Sequence, residues 1–218
     1  MIPVSAPPRV AARLRSADDG PVPLVHRGPD AMYMDVGGSC VGVVGIRATA
    51  VPCALRTTLD VLPDVARAWL RDGVLHLDEE SLTVGRLVDV SVPRLGVTGR
   101  PGSIDVASLV GRGDGLTPYG DDVLCGWLAV HRAAGVPTPE VDADVTRLAH
   151  RTTLLSAALL DCAMDGEVIP EFAAFVRALG TDAESTAAAV LAAVGHSSGR
   201  GLLEGARTAL AGLRVAAA

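Results

Sequence analysis

Gly111-Arg112-Gly113-Asp114-Gly115-Leu116-Thr117-Pro118-Tyr119-Gly120-Asp121-Asp122 lies near the start of the helical part of this chain. Over residues 31–95 apolar residues recur every second position; beyond residue 103 they recur with helical period. The glycines at 111, 113, 115 and 120 are expected to take positive φ and to bring backbone N–H groups close to a ligand. Pro118 stiffens the turn by fixing φ. Two adjacent carboxylates follow, and then Val123, Leu124, Trp127, Leu128 and His131 share one helical face. A donor-rich loop running into a helix that opens with paired acids is the predicted site. Helix capping accounts for one of the two, because an Asp at the start of a helix accepts N–H bonds and suits the helix dipole. The loop is not a nucleotide motif: it lacks the Gly-x-Gly-x-x-Gly spacing, and no lysine follows the glycines as in a Walker loop. An anion bound here needs Arg112 or a metal ion to offset the acids.

Working outward, residues 31–95 alternate. Met32–Val36, Cys40–Ile46, Ala50–Leu55, Val74–Leu77, Ser81–Val84 and Leu87–Val92 read as strands, punctuated by Gly37-Gly38, Gly45, Gly73 and Gly85. Leu62–Leu70 reads as one short helix that packs Trp69 inward. Pro93 to Gly102 reads as a linker. Helices are predicted near 103–110, 121–134, 140–164, 169–179, 183–194 and 199–213. The predicted fold class is therefore α+β: an N-terminal arm over 1–23 (a short helix or loose segment), a mostly antiparallel β-domain over 24–98, and an all-helical domain over 103–218 that carries the motifs.

The 218 residues suffice for one large domain or two small ones. Hydrophobic residues make up 49 % but aromatics only 3 %, so the core is built from Ala, Val and Leu. No apolar run reaches the ~18 residues of a spanning helix, and the N-terminal stretch has no apolar secretory core. The expectation is a cytoplasmic protein without membrane contact. All 19 basic residues are arginines, which excludes Schiff-base and lysine-nucleophile chemistry. A net charge of −6 without a basic cluster argues against nucleic acid as a partner. Cys40, Cys53, Cys125 and Cys162 are widely spaced and read as reduced, mostly buried thiols.

Two further segments carry polar side chains in apolar surroundings. Within the predicted helix 140–164, Val145, Leu148, Thr152, Leu155, Leu159 and Ala163 share a stripe, with Thr152 and Ser156 four residues apart. Their hydroxyls either bond back to the preceding turn or face a ligand. In Gly195-His196-Ser197-Ser198-Gly199-Arg200-Gly201, Gly195 is expected to end one helix while Ser197 or Ser198 caps the next. Gly201 and Gly205 would let that next helix pack closely. The same turn offers N–H groups, hydroxyls and Arg200 to a ligand. His196 beside serines invites a nucleophile–base reading, but adjacent residues seldom have that geometry.

Taken in this order, the three segments resemble a bacterial family that includes the AllH-type subunit of oxamate carbamoyltransferase. The resemblance covers residues 105–210, and the Gly113-x-Gly115-Leu116-Thr117-Pro118-x-Gly120-Asp121-Asp122 string carries most of it. The chain departs from the family's usual pattern at Arg112, Asp114 and Tyr119. The resemblance implies a carbamoyltransferase subunit of purine and allantoin nitrogen catabolism, acting with partner chains and binding a small carbamoyl or carboxylate ligand. It implies catalytic roles for Asp121 and Asp122, with Mg²⁺ between them as an option and no other cofactor. Ligand contacts are then expected from Arg112, Gly113, Gly115, Thr117, Gly120, Thr152, Thr153, Ser156, His196, Ser197, Ser198 and Gly199.

The chemistry agrees with these residue types. A carbamoyl group is an NH₂ donor beside a carbonyl, attached to an anion. Carboxylates suit the NH₂, loop N–H groups suit the carbonyl oxygen as it becomes an oxyanion, and Arg112 or Arg200 can pair with carboxylate or phosphate. The Ser-x-Arg-Thr-Arg loop of aspartate- and ornithine-type carbamoyltransferases is absent from the sequence. Two other readings stay open. One is a non-catalytic accessory subunit whose loop orders an interface. The other is a Mg²⁺-dependent hydrolase, loosely like ADP-ribosyl-glycohydrolases, with Asp114, Asp121 and Asp122 as candidate ligands.

Overall fold

Alternation of buried and exposed residues in the N-terminal part produces strands of one sheet. The computed structural model describes residues 1–215 and divides the chain into two units, Met1–Val90 and Ser91–Ala218. The first unit contains β1 (Ile2–Ala6), α1 (Pro8–Ser16), β2 (Gly20–Val22), β3 (Leu24–Arg27), β4 (Ala31–Val36), β5 (Ser39–Val44), β6 (Ala54–Arg56), β7 (Ala68–Arg71), β8 (Val74–Leu77) and β9 (Glu80–Leu87). The sheet order is β2-β7-β8-β9-β1-β6-β5-β4-β3, antiparallel except for the β1–β9 and β5–β6 pairs. β2 and β3 stand at opposite ends of that order yet are separated in sequence only by Pro23. The sheet therefore curls back on itself, and the Pro23 carbonyl accepts the Asp35 N–H at 2.9 Å. Curling protects the strand edges that an open sheet would expose. The core beneath is aliphatic, with Met34, Val41, Val43, Leu55 and Leu75 at or below 1 % exposure.

Two expectations fail here. Residues 1–23, read as a short helix or loose arm, do hold the short helix α1 but are no arm: they also supply β1 and β2, and β1 lies in the middle of the sheet. Its prolines hid it. Pro3 lies where β6 does not reach, since Ser5↔Arg56 is the sole β1–β6 register pair; Pro8 starts α1, where a missing N–H costs nothing. Nor is Leu62–Leu70 a helix. Leu62, Val65 and Ala68 are buried at three-residue intervals, which imitates a helical face. Leu62 to Arg67 form no regular element, and the chain then enters β7, which buries Ala68 and Leu70 and turns Trp69 outward at 42 % exposure.

The second unit is helical apart from one small ribbon. It contains β10 (Val97–Gly99), α2 (Val106–Leu109), α3 (Tyr119–Ala133), α4 (Pro139–Leu148), α5 (Leu154–Met164), α6 (Pro170–Ala178), α7 (Glu184–Ala192), α8 (Ser198–Gly212) and β11 (Leu213–Val215), with β10 and β11 antiparallel. The expected linker thus contributes a strand. The chain is α+β, with strands N-terminal and helices C-terminal. The single helix expected over 140–164 is broken by a 3₁₀ turn at Ala149–Arg151, after which Thr153 caps α5 by accepting the Ser156 N–H at 3.0 Å. Consecutive threonines explain the break, because their hydroxyls offer the backbone partners outside a continuous helix.

α3 is the central element. Leu124, Trp127, Leu128, Val130 and His131 are all fully buried. It packs against α8 and α5, and glycines permit the approach to α8. A Cβ at Gly205 would lie 1.9 Å from the Val123 carbonyl oxygen, and one at Gly126 would lie 2.0 Å from that of Leu202. The close packing expected of Gly201 and Gly205 is realised. Among the described residues, no helix is long and apolar enough to cross a membrane.

Candidate functional site

The glycine loop joins α2 to α3. Gly111 at φ 74° and Gly113 at φ 122° adopt backbone that side chains rarely tolerate. The turn closes when Gly120 N–H donates to the Arg112 carbonyl at 2.8 Å. Gly120 itself does not share the positive φ expected of it. It lies in the first turn of α3, where a Cβ would meet the Leu109 carbonyl oxygen at 2.1 Å, so glycine is needed there for space. α3 starts at Tyr119 with Pro118 as its cap. Both aspartates therefore sit inside the first turn, and neither is the cap residue.

The two carboxylates have different surroundings. Asp121 is fully buried, and both its oxygens are engaged. Oδ1 accepts the Gly111 N–H at 2.8 Å, while Oδ2 accepts the hydroxyls of Thr152 and, at 2.7 Å, of Ser156. The hydroxyls at 152 and 156 thus neither bond back along a helix nor stand free. They converge on one carboxylate and clamp the glycine loop to the start of α5. Asp122 is 4 % exposed, and its Oδ2 is buried without a hydrogen-bond partner. Burial pushes its carboxyl up to about 7, against a lowering hydrogen bond from Ser198, with the Asp121 charge adding to the rise.

The structure brings all three motif segments together. Thr117 Oγ1 and Ser198 Oγ are 2.9 Å apart, and Thr153 Oγ1 donates to the Leu116 carbonyl at 2.5 Å. A Cβ at Gly201 would lie 2.7 Å from the Asp122 Cβ, so α8 closes directly over this carboxylate. Gly199 serves packing too, with the Leu191 carbonyl oxygen 1.8 Å from where its Cβ would be. Other expected site residues stand apart. Arg112 and Gly115 are exposed in the loop, and His196 is exposed at the turn before α8. Arg200 Nη2 donates to the His196 carbonyl at 2.9 Å. Ser197 is the α8 cap residue, yet its side chain makes no capping bond.

Sequence reasoning missed two features. Tyr119 donates to Glu204 Oε2 at 2.6 Å, a bond that raises the phenol's pKa and ties α3 to α8. Trp127 and His131 stack with centroids 3.8 Å apart, and Trp127 Nε1 and His131 Nε2 are both buried without partners. Their i, i+4 spacing on the apolar stripe was the available signal. His131 Nδ1 bonds the Trp127 carbonyl at 2.8 Å, and burial lowers the imidazole's pKa. All four cysteines are buried and unbridged. Among the described residues, no group of three or more His, Cys, Asp or Glu side chains is arranged to hold a metal ion.

Residues 109–210 match the AllH family model, oxamate carbamoyltransferase subunit AllH. The matched segment is a little under half of the 218 residues, and it runs from the end of α2 into α8. It includes the glycine loop, the Asp121 clamp and the Ser198 turn, so the resemblance read from the motifs is borne out over that span. Comparisons with curated proteins and with solved structures gave no match.

Proposed function

We propose that this chain is a carbamoyltransferase subunit of the oxamate type, serving purine or allantoin nitrogen catabolism. Its AllH-like segment binds a small carbamoyl- or carboxylate-bearing ligand at the glycine loop. The observation that carries this reading is Asp122, a buried carboxylate with one oxygen unpartnered in the first turn of α3, directly after the glycine loop. A carbamoyl NH₂ is the donor such an oxygen lacks. An amide nitrogen is also a weak nucleophile. Asp122, with its pKa raised to about 7, suits a base that takes the N–H proton. The new C–N bond then forms at the carbamoyl carbon while the bond from that carbon to its phosphate oxygen breaks, and phosphate leaves.

This reading divides the paired acids. Asp122 is assigned the ligand contact, and Asp121 is assigned the task of holding the loop, because its oxygens already accept three protein donors. Mg²⁺ between the two acids loses support for the same reason, and the hydrolase reading loses support with it. The accessory-subunit reading keeps one observation in its favour. Thr117, Thr152, Thr153, Ser156 and Ser198 all bond within the protein, as an ordered interface loop requires. Turnover of Asp122→Asn in the complex reconstituted with its partner chains decides between them. Under the proposal, kcat falls well over tenfold while assembly persists. Unchanged turnover overturns it and leaves the accessory role.

A further inference from the structure

We propose that the outer face of β7 and β8, in the first unit, binds a flat ring carrying an anionic phosphate or carboxylate. The chain has two tryptophans. Trp127 is sealed in the second unit, whereas Trp69 is 42 % exposed on a strand that buries Ala68 and Leu70. Strand alternation therefore presents Arg67, Trp69 and Arg71 on the outer face. Register places His76 directly across from Trp69 on β8 and Pro21 across from it on β2. Arg67, Trp69, Arg71 and His76, with Asp78 and Glu79, line an open groove of about 420 Å³. That size suits a small ligand.

The polar groups of the groove are unevenly committed. Asp78 accepts the N–H groups of Ala66 at 3.0 Å and Arg67 at 2.9 Å, bonds that hold its pKa down and fix the turn entering β9. Among the described residues, neither the Arg67 nor the Arg71 guanidinium makes a hydrogen bond or salt bridge. The Arg67 charge helps to hold the Asp78 pKa down, but neither guanidinium is tied by a hydrogen bond, and the two flank an exposed indole with an imidazole opposite. A ring stacks on Trp69, its anionic group takes bidentate bonds from Arg71 or Arg67, and Glu79 accepts from ring N–H or hydroxyl groups at the far end. A bare anion uses only the arginines, and a neutral ring only the tryptophan. Both features together select a nucleotide-like or aromatic-acid ligand. The inference is independent of the AllH-like reading, since every residue in it lies outside the matched segment.

Tryptophan fluorescence of the full chain tests it, because Trp127 is shielded and Trp69 reports the groove. AMP and benzoate combine a ring with an anion, of phosphate and carboxylate type respectively. Adenosine supplies the ring alone and ribose 5-phosphate the anion alone. The expected result is saturable quenching by AMP or benzoate, whichever source applies, with adenosine and ribose 5-phosphate at least tenfold weaker. By calorimetry, Arg71→Gln weakens binding at least tenfold and Trp69→Leu abolishes it, while Arg207→Gln on α8 leaves it unchanged. Both groove positions are exposed, so circular dichroism should show the variants folded. The proposal is overturned if neither AMP nor benzoate saturates, or if ribose 5-phosphate binds as tightly as AMP. It is equally overturned if an acidic peptide alone protects Trp69, because the groove would then be a protein contact.

Discussion

Three glycines of the sheet unit and four of the helical unit serve opposite purposes. In the sheet, Gly37, Gly38 and Gly85 have nothing within 4 Å of where a Cβ would stand; the first two form the turn between β4 and β5, and Gly85 lies within β9 where its register against β1 shifts. In the helical unit, Gly120, Gly126, Gly199 and Gly205 stand where a Cβ would lie within about 2 Å of a backbone oxygen. Much of what reads as a ligand-binding glycine pattern is therefore the imprint of helices packed in near contact. Once those glycines, the Asp121 clamp and the Thr153 cap are explained by packing, Asp122 is what remains. A buried carboxylate with an empty oxygen does not help the fold, and departures of that kind are where function is expected.

Asp121→Ala should produce the largest change. It removes a fully buried acceptor and strands three donors, from Gly111, Thr152 and Ser156. Breaking such a network costs about 3–5 kcal/mol, and urea unfolding should show the loss. A cost below about 1 kcal/mol would mean that Asp121 is not the clamp, and the contrast between the two acids would collapse.

Asp122→Asn should act in the opposite direction. The carboxyl's folded pKa of about 7 lies above its ordinary value of 3.8, so between those values the native state holds a proton that the unfolded chain has released. Stability from this group is therefore full at low pH, falls as pH rises through that window and is flat above it. With about 1.4 kcal/mol per pKa unit, the ceiling is about 4 kcal/mol. The variant should lose this slope and be more stable than wild type at pH 8, read as the difference between their melting temperatures across pH 4–8. Equal slopes would mean that the folded state does not raise the Asp122 carboxyl above its ordinary range.

Gly205→Ala and Gly85→Ala test the glycine contrast itself. The first forces a methyl against the Val123 carbonyl and should cost about 1–3 kcal/mol or more; the second meets open space and should stay within about 0.5 kcal/mol. Comparable costs would remove the distinction between the crowded and the open glycines.

The sequence was informative where periodicity was long and uninformative where a single tertiary contact decided the outcome. The 3.6-residue stripe running on from Val123 and the alternation of 31–46 were legible because many residues vote together. β1 was not: five residues containing a proline give no window, and its place in mid-sheet depends on pairing with β9, far along the chain. Leu62, Val65 and Ala68 misled because an irregular segment buried residues at helical intervals. At the site, the motif residues were legible as a group, and the structure assembles them. Their separate roles were not, because Asp121 and Asp122 have identical chemistry and differ only in which neighbours reach them.

The smallest expected effect concerns Thr153, the residue that made a long helix into two. Its oxygen accepts the Ser156 N–H at 3.0 Å while its hydroxyl donates to the Leu116 carbonyl. It therefore caps α5 and holds the glycine loop with one atom. Loss of a helix cap costs about 1 kcal/mol, and Thr153→Ala should show that much in denaturant midpoint. Hydrogen exchange should separate the two roles. If Thr153 works as a cap alone, the first-turn amides of α5 exchange faster and those of the loop do not change. If it also pins the loop, amides around Leu116 speed up as well, and loosened loop donors should weaken ligand binding before Asp122 is touched. A variant with unchanged exchange in both places would mean that the break at 149–153 is set by the Asp121 clamp through Thr152, and the contrast between packing and function would then rest on Asp121 alone.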